Sequence, residues 1–193
     1  MHFAPNILYN KGYFCNLNFK IKDKLTDNSS NSIKKFVLPI ALLFSLGRII
    51  LDIISKLAQV GAKMYYATFL IAFVLEVLAI IYLIAGYKKR QGNLINLREA
   101  LVVGVMFMVI VGSLFAIESY IYDTFIDGEF QKNVAIEWAN LYGKGEDVEK
   151  MMNDGSGTQK TNAIFSIFTS IIKFSVIGIL ISFIVGSILR NKK

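Results

Sequence analysis

The chain has 193 residues, 54% of them hydrophobic and 18% charged, with a mean hydropathy of +0.52. A soluble domain is nearer about 25% charged; here the apolar residues are gathered into long blocks, the pattern of a chain that crosses a membrane. Cys15 and His2 are the single cysteine and histidine, so intrachain disulfides, thiolate metal sites and histidine-based triads are excluded, and the net charge of +7 flanks apolar blocks instead of forming a basic helix, which argues against nucleic acid as a partner.

Residues 1–32 read as a polar arm. Lys11, Lys20, Lys22 and Lys24 alternate with aromatics, and the first apolar block comes too late for a cleaved secretory signal. The arm is expected to be disordered and cytoplasmic. A first helix is expected from about Ser32 to Gln59, spanning the membrane over 35–58. Lys34 and Lys35 anchor its start, Pro39 is tolerated in its first turns, and Gly61 follows its end. The second helix is expected from Lys63 to Tyr87, with its span at 65–87. Tyr65, Tyr66, Tyr82 and Tyr87 are placed as aromatic belts at its two ends. Lys88-Lys89-Arg90 then begins a basic turn, and Asn96 with Glu99 has the spacing of a helix-opening capping box.

The third helix is expected over Leu97–Phe125, spanning 98–122. Gly104, Gly112 and Ala116 give it a small-residue face suited to close helix packing. The polar loop 123–162 follows. Within it Glu129–Tyr142 reads as a helix with Phe130, Val134, Trp138 and Leu141 on one face, and Glu146–Asn153 as a second, shorter one. Asp123, Asp127 and Glu129 lack the spacing of a calcium loop, so no metal site is assigned. The last helix, Thr161–Leu189, spans 163–189 and repeats a small face at Gly178, Ser182 and Gly186.

With both termini on the cytoplasmic side, thirteen Lys and Arg lie inside, five outside, and Arg48, Lys56 and Lys173 within the membrane. This is the asymmetry of the positive-inside rule. It places the loop, with its eight acids from Asp123 to Asp154, outside. The fold class is therefore all-α: a polytopic membrane protein of four transmembrane helices, with a helical extracytoplasmic loop between the third and fourth.

Six membrane-level charges remain: Arg48, Asp52, Lys56, Glu76, Glu118 and Lys173. Arg48, Asp52 and Lys56 recur every four residues and share one helix stripe. A charge inside hydrocarbon costs about 3 kcal/mol on insertion scales, so the stripe must face partners. At about 1.5 Å of rise per residue, Arg48, Glu76 and Lys173 all fall near mid-depth. The expectation is that Glu76 bridges Arg48 and Lys173, that Arg48 also meets Asp52 along its own helix, and that Lys56 reaches for the outer boundary. Three cations then balance three anions.

Three stretches resemble a known family: Gly92-Asn-Leu-Ile-Asn-Leu-Arg-Glu-Ala-Leu-Val-Val-Gly104, Tyr120-Ile-Tyr-Asp-Thr-Phe-Ile-Asp127, and Ile177-Gly-Ile-Leu-Ile-Ser-Phe-Ile-Val-Gly186 followed by basic residues. The chain is similar in these to the domain of unknown function numbered 4199, small four-span membrane proteins of Bacteroidota. It departs from the family at Gly128, where members often carry proline. The resemblance implies a bacterial inner-membrane location and brings no catalytic residue. The function expected is a non-enzymatic accessory or assembly component, with the bilayer and other membrane subunits, or further copies of itself, as partners and no cofactor. The alternative is an oligomeric transporter or channel that uses Arg48, Glu76 and Lys173.

Overall fold

The computed structural model describes residues 11–153 and 163–190. All regular structure among them is helical: α1 (Lys11–Leu57), α2 (Ala62–Arg90), α3 (Leu97–Phe125), α4 (Phe130–Asn140), α5 (Gly145–Asn153) and α6 (Ala163–Leu189). Stretches of α1, α2, α3 and α6 are long and apolar enough to cross a membrane: Asn31–Leu57, Ala62–Arg90, Leu97–Phe125 and Ile164–Leu189. Helix α1 begins 21 residues before the expected start at Ser32. The head of the arm (1–10), Gly155, Gly157 and Lys160 of the loop, and Lys192 and Lys193 lie outside the described residues.

The inward face of α1 is a regular stripe, Ile33, Val37, Ala41, Ser45, Arg48, Asp52 and Lys56, all buried. The spacing of three to four residues is that of one helix face. Leu43, Leu46 and Ile50 on the other side are exposed, as suits a surface that meets lipid. Half of the bundle is apolar inside. Val37, Ala41, Ile80, Leu83, Val103 and Phe107 form one cluster there.

Helices α3 and α6 approach each other through small residues. A side chain added at Gly104 would collide with Ser182 Oγ, at Gly112 with Phe174 Cβ (2.5 Å), at Gly178 with Met108 Cβ (2.9 Å), and at Gly186 with Ala100 Cβ (2.8 Å). Ala116, one turn beyond Gly112, is buried as well. Without a hydrophobic drive between helices in lipid, such close backbone contact is a main source of attraction.

The turns are held by side chains. Glu99 accepts the backbone N–H of Asn96 at 3.0 Å and opens α3. The Lys88 ammonium donates to the Leu189 carbonyl at 2.8 Å, capping the C-terminal end of α6. At the other end of the bundle, the loop end, Glu137 of α4 accepts the N–H of Ala62 at 2.8 Å and caps the start of α2. Phe130 and Val134 of α4 are buried with Ala62 and Tyr65. Trp138 and Leu141, expected on the same face, are more exposed than Phe130 and Val134; Trp138 packs beside Tyr66, ring centroids 4.6 Å apart.

Candidate functional site

The membrane-level charges separate into two groups on the buried stripe of α1. The first is a closed pair. Arg48 Nη1 donates to Glu76 Oε1 at 2.5 Å, and both side chains are almost fully buried. Glu76 is the middle residue of the span Ala62–Arg90. The rest of the guanidinium is enclosed by aromatic faces: Phe69 at 4.5 Å, Phe115 at 4.4 Å and Phe174 at 5.2 Å from ring centroid to Cζ. These rings come from α2, α3 and α6. A desolvated guanidinium gains most from such faces, because no water competes for it. Arg48 thus touches a side chain from each of the other three spanning helices.

The second group lies towards the loop end, around Lys56. Its side chain is fully buried and its ammonium is 2.7 Å from Asp52 Oδ2, 3.5 Å from Glu118 Oε1 and 3.6 Å from Asp123 Oδ1. It also donates to Ser119 Oγ at 3.4 Å and lies 4.7 Å from the Tyr122 ring centroid. The second oxygen of Asp52 accepts from Tyr65 Oη at 3.0 Å, and Tyr65 Oη accepts from Gln131 Nε2 of α4 at 3.1 Å. Both oxygens of Glu118 are buried, Oε1 against the Lys56 ammonium. A void of about 10 Å³ lined by Arg48, Asp52, Tyr65 and Thr68 separates the two groups, roughly the room one water needs.

Several expectations are corrected by this geometry. Lys173 is exposed on α6 and joins neither group; its neighbour Phe174 takes the place against Arg48. Glu76 therefore binds Arg48 without bridging to a second cation. Asp52 pairs with Lys56 and not with Arg48, since Glu76 already occupies the guanidinium. Lys56 does not reach out to the surface; it is fully buried among three carboxylates. Tyr65 and Tyr87, placed as belt residues, are buried at 7% and 1% exposure. Tyr87 packs beside Phe36 and accepts from Gln91.

Two members of the network escaped the sequence reading. Asp123, at the far end of the third helix where the loop is expected to begin, follows Glu118 by five residues and reaches Lys56. Gln131 enters only because α4 folds over the loop end. With Asp123 in and Lys173 out, two buried cations face four carboxylates, so the neutral balance expected from sequence is not met among the described residues.

Asp127 stands outside the membrane set. Its Oδ2 accepts from Gln59 Nε2 at 2.9 Å, and its Oδ1 accepts the backbone N–H of Glu129 and of Phe130 at 3.0 and 3.2 Å. The hydrogen bond from Gln59, aided by the two amides, holds the carboxyl below the usual aspartate range. Asp123, Asp127 and Glu129 therefore do not converge on one point: they serve Lys56, the start of α4, and Lys132 respectively.

No match was found among curated proteins or among solved structures. One family comparison does match, over residues 36–191, under the description "protein of unknown function (DUF4199)". That match takes in both charge groups, the last three spanning segments and the first from residue 36 onwards, and the chain belongs to this family.

Proposed function

We propose that the protein is a non-enzymatic accessory or assembly component of the bacterial inner membrane, with both termini cytoplasmic and the α4–α5 loop outside. The observation that carries this reading is the position of Arg48. Its guanidinium meets Glu76 and Phe69 of α2, Phe115 of α3 and Phe174 of α6. A charge held in this way by every other spanning helix fixes the rotation of each helix about its own axis. Such a fixing role is the best-attested use of buried polar groups. Transfer of ions through Arg48, Glu76 and Lys173 has less support, because Lys173 is exposed and away from the pair.

The partners in this reading are the bilayer and other membrane subunits or further copies of the chain. Two measurements test it. Glu76→Gln is expected to lower the amount of protein in the membrane, with no separate loss of activity per molecule. Purification in mild detergent is expected to retain a larger complex. A normal membrane level combined with lost ion or proton flux would overturn the reading.

A further inference from the structure

Lys173 joins neither charge group, and nothing beside it answers its charge. It is exposed on α6, and none of the ion pairs among the described residues includes it. Thr169, one turn before it, needs no partner, because its hydroxyl donates to the Phe165 carbonyl at 2.8 Å. Steps of three and four residues along α6 from Lys173 reach Val176, Leu180 and Ile184, all exposed. This stripe lies opposite Gly178 and Ser182, which pack on α3. Only 22% of the apolar stretch of α6 is buried, the least of the four spans, so a whole face of the helix is free.

Depth decides whether water can serve Lys173. The span Ile164–Leu189 has its midpoint between residues 176 and 177. Lys173 is three to four residues from it towards the loop end, about 5 Å at 1.5 Å of rise per residue. In a hydrocarbon slab about 30 Å thick, its Cα is then about 10 Å beneath the boundary on that side. An extended lysine stem reaches roughly 6 Å, so the ammonium stays within the slab. A charge left facing lipid tails is costly, and ionisable groups in spanning helices almost always pair.

Charge selects the occupant of this face. An ammonium calls for a carboxylate, and the slab excludes water and free anions. A second copy of the chain has none to give: the carboxylates in the interior of its spans, Asp52, Glu76 and Glu118, are turned inward and held by Lys56 and Arg48. An anionic headgroup stays at the boundary. We propose that the Lys173 face of α6 docks a spanning helix of a different membrane protein, through an Asp or Glu placed near the middle of that helix. Val176, Leu180 and Ile184 supply the apolar contact along it. The proposal rests on the accessory reading and adds the chemistry of the partner.

The test uses the full chain in phosphatidylcholine vesicles, with a donor dye on Cys15, its single thiol. Synthetic leucine-alanine spanning helices carry the acceptor dye. One has Glu at its midpoint, which either orientation brings within one turn of Lys173; the others have Gln or Leu there. The Glu helix is expected to associate roughly tenfold more tightly than the Leu helix, the value of one hydrogen bond between charged groups. The Gln helix should fall well short of it. Lys173→Leu should remove the difference, and Lys173→Arg should keep it.

Equal association of the Glu and Leu helices would overturn the proposal, as would a Gln helix that binds as well as Glu. So would a membrane-impermeant acylating reagent that modifies Lys173 as fast as the exposed Lys144, since the ammonium would then sit at the headgroups. Energy transfer between two labelled copies that Lys173→Leu abolishes would assign the face to self-association and overturn it too. A larger complex that survives Lys173→Leu unchanged in mild detergent would overturn the docking face and leave the accessory reading standing; a complex lost with Lys173→Leu and kept with Lys173→Arg supports both. The comparison of the three helices uses the unaltered sequence, so it stands even if a Lys173 variant fails to fold.

Discussion

Arg48 and Glu76, 28 positions apart in the chain, meet with side chains only 5% and 4% exposed. Burial leaves little solvent to replace either partner if the other is removed. Arg48→Met or Glu76→Leu alone is therefore expected to cost about 3–5 kcal/mol, because each leaves a buried charge unpaired. The double substitution should cost less than either single one. Thermal unfolding of the four proteins in one detergent closes the cycle, and a double variant weaker than both singles would show that the pair is not the source of the loss.

Lys56 and Glu118 should respond in opposite directions. Three carboxylates surround one ammonium, so like charges crowd wherever Lys56 does not reach. Lys56→Met removes the cation they surround and is expected to lower the melting temperature sharply. Glu118→Gln removes one surplus negative charge, keeps the shape, and should be neutral or stabilising by about 1 kcal/mol. Melting curves of the two variants beside the parent protein decide it.

The α3–α6 contact predicts a clash with a specific remedy. Gly104→Ala places a methyl group against Ser182 Oγ and should cost about 1–3 kcal/mol through overpacking. Adding Ser182→Gly should restore part of that loss, while Ser182→Gly alone should be mild. The readout is stability against detergent denaturation, and a failure of the second change to help would place the strain elsewhere.

Asp127 gives the loop a pH dependence. Its carboxyl is held below the ordinary value by Gln59 and two amides. A group with a lowered folded pKa contributes in full above its unfolded value, about 4, and loses that contribution as pH falls through the folded value. Amide exchange at Glu129 and Phe130, corrected for intrinsic rates, should therefore quicken between about pH 5 and the lowered range below 4. Asp127→Ala should be quick at both ends and flat between them.

The four spans were readable because each needs about 20 apolar residues in a row, and few other structures do. Depth was readable too, since rise per residue is fixed, and it placed Arg48 and Glu76 at one level. Direction around the helix axis was harder. Lys173 has the right depth but the wrong side: counting back by four from Ser182 and Gly178, the inward face of α6 reaches Phe174. That periodic step was available in the sequence and would have removed Lys173. The partner of Asp52 was not available. Arg48 and Lys56 both lie four residues from it, and only the approach of Glu76 to Arg48 settles which one it takes. Tyr65 posed the same difficulty, since a tyrosine at a helix start suits either a membrane boundary or a buried carboxylate.

The pairing within α1 and α2 bears on how the chain is made. Arg48 is matched by Glu76, and Lys56 by Asp52; no residue beyond the second helix is needed to neutralise either cation. A ribosome that has released α1 and α2 has therefore delivered a helical hairpin whose buried charges cancel, two against two. Such a hairpin can partition into the bilayer as a unit, before α3 brings its surplus acids and before α6 supplies Phe174. Insertion of a chain truncated after Asn93, and its loss on Glu76→Leu, would be visible by protease protection in membrane vesicles.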